Sequence, residues 1–153
     1  MIALFIAVHL LAAVVWVGGM FFAYLILRPA AVAELEAPQR LRLWSRVLGK
    51  FFVWVWGAVL LLPLTGTALA LQLFGSFAHA PLYVHVMLML GSIMILIFAH
   101  VYFSPARRLH KAVREASWQE GGRQLNLIRK LVGVNLAIGL LVIAAASGGR
   151  FLV

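Results

Sequence analysis

Apolar residues run almost unbroken through four stretches, 2–27, 51–74, 82–103 and 131–147, and the Lys, Arg and Glu residues all lie outside them. Each stretch approximates the roughly 20 residues that carry a helix across a hydrocarbon core. Within lipid the backbone must satisfy its own hydrogen bonds, so the pattern predicts four transmembrane helices packed as one all-α bundle over 1–153. The first stretch has no basic residue before it and no small-residue cleavage pattern, and is read as a retained helix, not a removed signal.

Composition points the same way: 65% of residues are hydrophobic and 11% charged, against about 25% charged in soluble domains. This excludes an ordinary soluble enzyme. Of thirteen Lys and Arg, five fall in 28–50 and seven in 107–130, whereas 75–81 carries none. The positive-inside rule then predicts cytoplasmic basic connections and periplasmic termini, as for a multi-pass protein of a bacterial-type inner membrane. The net charge of +9 reads as topology and contact with anionic lipid, without nucleic-acid binding. The chain has no cysteine. A metal would therefore have to be held by His, Met or backbone groups.

The two halves look like copies of one helix pair. A shift of 76 residues aligns His85 with His9, Ala99 with Ala23 and Pro105-Ala106 with Pro29-Ala30, and each half continues through a basic segment containing a Trp, Trp44 or Trp118. Two such copies share an orientation, and sites in repeat folds lie at the repeat interface. His9 and His85 then fall at similar depth near the termini-bearing face. Ionisable groups inside a membrane are costly, which makes this pair the leading candidate for two axial ligands of one metal centre. A coincidence of interfacial histidines is the plain alternative.

On the first helix, Trp16 shares the His9 face two turns on, and Gly18 and Gly19 offer either room for a flat porphyrin or tight helix packing. On the third, Met89, Ser92, Leu96 and, loosely, His100 share the His85 face, while Met87 and Met94 point to the opposite side as core filler. His100 lies about 22 Å beyond His85 at 1.5 Å per residue, with no partner histidine at that depth. His79 and His110 read as solvated, His79 with a second role as guard of an outer metal site. On the second helix Pro63, Thr65 and Gly66 predict a kink whose freed backbone groups the Thr hydroxyl serves. Gln72 and Arg150 lie at the termini-bearing face, where an arginine would pair with haem propionates. Asn135 is expected to bond a neighbouring helix.

His9, Trp16, Gly19 and Phe21 are similar to the first-helix pattern of HemJ-type protoporphyrinogen oxidases, four-helix proteins that bind haem b. His85-Val86 resembles their His-Val-Lys, with Met87 in place of lysine. Over nearly the whole chain, and most in HLLAAVVWVGGMFF, LRLWSRVL and Tyr102-Phe103-Ser104-Pro105, the sequence resembles short proteins of the CopD copper-resistance family.

The reading that follows is a haem b held between His9 and His85. Two imidazoles would close both axial positions and favour electron transfer over oxygen activation, with a quinol or a periplasmic redox protein as partner. The CopD resemblance implies an alternative, a copper permease exchanging with a periplasmic copper protein. Its outer site would use His9, His85, Met89 and His79, with Met20 and His100 as later stops. The HemJ resemblance implies a third reading, oxidation of a porphyrinogen.

Overall fold

The computed structural model describes residues 1–151, apart from the Arg150 side chain. Four helices carry the fold: α1 (Ile2–Glu34), α2 (Ala37–Phe74), α3 (Leu82–Arg114) and α4 (Trp118–Gly148), each long and apolar enough to cross a membrane. They run well past the apolar stretches. The basic segments between those stretches are helical continuations and not loops, with Leu41, Trp44 and Leu48 of α2 and Leu109 and Ala112 of α3 buried along one side. Their three- and four-residue spacing makes these extensions amphipathic, so each buries one stripe and leaves its charges outside. Gly75, at φ +74°, ends α2 in a conformation that glycine adopts without steric penalty.

The tightest pairings are α1 with α2 and α3 with α4, two hairpins set side by side. Both α1 and α3 widen next to their basic-end proline. In α1 a π-helical turn at Phe22–Leu27 stands just before Pro29, and in α3 another at Tyr102–Ala106 contains Pro105. Proline has no N–H to give and its ring crowds the preceding turn, and a widened turn absorbs both defects.

At mid-depth the bundle is closed by aromatic rings. Phe98 of α3, 4% exposed, meets Trp16 of α1 at 6.2 Å between centroids and Phe52 and Trp56 of α2 at 5.4 and 5.2 Å, each nearly edge-to-face. Such pairs add about 0.5–1.5 kcal/mol each beyond their burial. This band separates two cavities, one lined by Trp16 towards the termini-bearing end, the other lined by Phe52 towards the basic end.

Close packing leaves no room for a Cβ at Gly139, as at Gly19. A Cβ on Gly139 would lie 2.9 Å from Val17 Cγ2 and 3.1 Å from Met94 Cε, whereas one on Gly18 would meet nothing within 4 Å. Val17 is buried and β-branched, so it cannot swing away. Gly139→Ala is expected to destabilise by about 1–3 kcal/mol, and Gly18→Ala to be neutral or to stabilise by up to about 1 kcal/mol. Thermal unfolding in detergent checks this, and equal melting temperatures for the two variants would contradict the packing described.

Candidate functional site

The cavity in the termini-bearing half has a volume of about 180 Å³ and receives His9 and Trp16 from α1, Leu62 and Gly66 from α2, Met87 and Met94 from α3, and Val142 from α4. His9 is held against α2. Its Nδ1 lies 2.7 Å from Thr65 Oγ1, and the Thr65 hydroxyl donates to the Leu61 carbonyl at 2.6 Å. With that proton committed, Thr65 Oγ1 has only lone pairs to offer, so Nδ1–H is the donor and Nε2 keeps its lone pair. A hydrogen bond on one ring nitrogen that leaves the other free is how a ligating histidine is oriented. Gly66 makes the approach possible, since a Cβ there would stand 3.2 Å from His9 Cε1. Thr65 thus bonds the Leu61 carbonyl and not the Val59 carbonyl that Pro63 leaves without a donor, and it also serves a partner 56 residues away.

The second histidine does not join the first. His85 is exposed, its Nδ1 donates to the Pro81 carbonyl at 3.3 Å, and it does not line the cavity. The face it occupies points mostly outward: Met89 is 57% exposed, and Leu96, His100 and Phe103 are exposed too, with only Ser92, also exposed, reaching the edge of the cavity. Met87, Gly91 and Met94 turn inward instead, and all three line the cavity. Gln72 is exposed and away from the cavity, and His79 is exposed with its ring bonded to the Ser76 hydroxyl at 2.9 Å. Gly18 is open to the outside, while Gly19 sits beneath the Phe51 ring, a helix contact and not a porphyrin face. The Arg150 side chain lies outside the described residues. His110, read as solvated, is half-buried and bonded to Ser45 Oγ.

A family model described as copper resistance protein D matches residues 45–148. This chain belongs to the CopD family. The match takes in Thr65, Gly66, Met87 and Met94 and leaves His9 outside it. No curated protein and no solved structure matches the chain. The resemblance to CopD proteins along the sequence is thereby shown, and that to HemJ-type oxidases gains nothing from it.

Among the described residues of this CopD chain, no three His, Cys, Asp or Glu side chains come together that could hold a metal. What the cavity offers is one imidazole and two thioethers in apolar surroundings, a donor set for a soft, low-charge ion and unsuited to a hard divalent one. Met87 and Met94 lie opposite His85 as core filler, as their spacing predicts, whereas the His85 face expected to carry the site points outward. Spacing alone carried the better signal: 87, 91, 94, 98 and 101 repeat by three and four, and Met94, Phe98 and Val101 are all buried. Asn135, buried in α4, donates through Nδ2 to the Met94 carbonyl at 3.4 Å and ties α4 to the site.

Proposed function

We propose that this CopD protein takes Cu(I) as its cargo and holds it in the termini-bearing half of the bundle. The observation that carries the reading is that His9, its Nδ1 bonded to Thr65, lines one apolar cavity together with Met87 and Met94. Thioether and imidazole suit Cu(I), and neutral ligands suit a monovalent ion in a medium where net charge is costly. Met87 and Met94 are two turns apart, about 10 Å along α3. Val17 and Met94 meet at Gly139, so His9, eight residues before Val17, is level with Met87 and pairs with it, while Met94 lies deeper, beside the aromatic band. A periplasmic copper protein is the partner this implies, delivering at the end away from the basic helices. A haem b between His9 and His85 draws no support from this geometry, because the two side chains do not face a common space.

Protein purified in detergent and titrated with Cu(I) against a chromogenic chelator is expected to bind one ion per chain. X-ray absorption should show nitrogen and sulfur scatterers together. A preparation that is red as isolated, with a Soret band and sharp reduced α and β bands, would overturn the proposal in favour of haem.

A further inference from the structure

The larger cavity, about 500 Å³ in volume, opens at the basic end between α1, α2 and α4 and plays no part in the copper reading. Four arginines line it, Arg28, Arg40, Arg123 and Arg129, and no acidic residue does. Among the described residues the single ion pair is Arg123 with Glu120 at 3.6 Å, both well exposed. Arg28, Arg40 and Arg129 are half-buried without a carboxylate partner.

Two of them are also level with each other. A Cβ on Gly133 would stand 3.0 Å from the Tyr24 ring, which fixes Tyr24 of α1 opposite Gly133 of α4. The two helices run in opposite directions, so one turn towards the basic end brings Arg28 opposite Arg129. Like charges facing one cavity, partly removed from water and unpaired, are unfavourable unless an anion lies between them. Arg28 also stacks on Tyr24, 5.3 Å from the ring centroid, which orders its guanidinium at the wall.

Apart from Asn126 and the Tyr24 hydroxyl, the rest of the lining is apolar. From Arg40 to Phe52 the cavity follows α2 for about 18 Å, passing Trp44 and Leu48 and facing Ile128 and Val132 of α4. We propose that this cavity binds a phosphate-bearing amphiphile, an anionic phospholipid whose headgroup lies between Arg28 and Arg129 and whose first acyl carbons cover the aromatic wall. Guanidinium groups pair with phosphate through charge-assisted, often bidentate bonds. A free phosphate would leave the apolar depth uncovered, and a zwitterionic headgroup would carry a cation of its own towards the arginines. The positive-inside rule sets this end in the leaflet face where anionic lipids interact with basic segments.

The test uses the full chain, delipidated in a mild detergent and titrated with phosphatidylglycerol, phosphatidylcholine or sodium phosphate, with adducts counted by native mass spectrometry and melting temperature followed in parallel. One phosphatidylglycerol should be retained per chain and raise the melting temperature, as any ligand of the folded state does. Phosphatidylcholine should do neither, and millimolar phosphate should not displace the lipid. Arg28→Gln with Arg129→Gln should weaken retention about tenfold or more, the loss of roughly one charge-assisted bond. Gly122→Leu provides a second variant: its Cβ meets nothing within 4 Å, and the residue lines the cavity. It adds an apolar side chain at the exposed edge of the cavity, keeps every charge and improves helix propensity, so it should fold and hold the lipid more weakly. Equal retention of both lipids, or wild-type retention in Gly122→Leu, would overturn the proposal. Displacement by phosphate would overturn the lipid as occupant and assign the site to a soluble phosphate compound.

Discussion

Replacing His9 with Ala is expected to weaken Cu(I) binding by more than about 100-fold, whereas His85→Ala leaves it unchanged. Loss of a group that merely orients a ligand costs about 10–100-fold in metal affinity, and loss of the ligand itself exceeds that. His9 is the one imidazole lining its cavity, and its Nε2 is directed by the Thr65 bond at 2.7 Å. Thr65→Val keeps the shape, removes the hydrogen bond and should fall between wild type and His9→Ala. Affinities from chelator competition across the three variants decide the matter. Retention by His9→Ala with loss in His85→Ala would move the site to the outward face of α3 and end the present assignment.

Phe98→Ala is expected to be the most damaging substitution in the middle of the bundle. Phe98 touches Trp16, Phe52, Trp56 and Tyr102 through its ring, and it is 4% exposed. Truncating a buried Phe costs about 3–5 kcal/mol in transfer and cavity terms. Here it would also remove the wall between the two cavities. Thermal unfolding should fall accordingly, and reconstituted vesicles should become leaky to small cations, with Phe98→Leu much milder in both respects. A stable, ion-tight Phe98→Ala protein would show that the rings do not form the barrier.

The number of helices and their all-α class were legible in hydropathy, whereas their ends were not, since the basic segments continue them by up to about fourteen residues. The inward face of α3 was not legible either, for a physical reason. In lipid both faces of a helix meet apolar surroundings, so amphipathicity no longer marks the interior. What singles out His85 in the sequence is the cost of a lipid-facing histidine. His85 lies within one turn of the start of α3, where a polar side chain reaches the interface at little cost and can bond the Pro81 carbonyl. The partnership of His9 with Thr65 is a contact between helices and leaves no local pattern to read. The helical nature of the basic segments was within reach, since Leu41, Trp44 and Leu48 already have helical spacing between charged residues.

The aromatic band has an electrical consequence. Cavities reach towards it from both ends, so the apolar thickness between them is far less than that of the bilayer. Whenever lipid leaves the basic-end cavity and both cavities are hydrated, most of the transmembrane voltage drops across the rings of Trp16, Phe52 and Phe98. A monovalent cation carried past Phe98 would then gain almost the whole electrical work of crossing, about 2.3 kcal/mol per 100 mV, in a movement of a few ångströms. With the basic end on the negative side, that work favours inward passage. The step past one phenylalanine would be where the membrane potential acts on the ion.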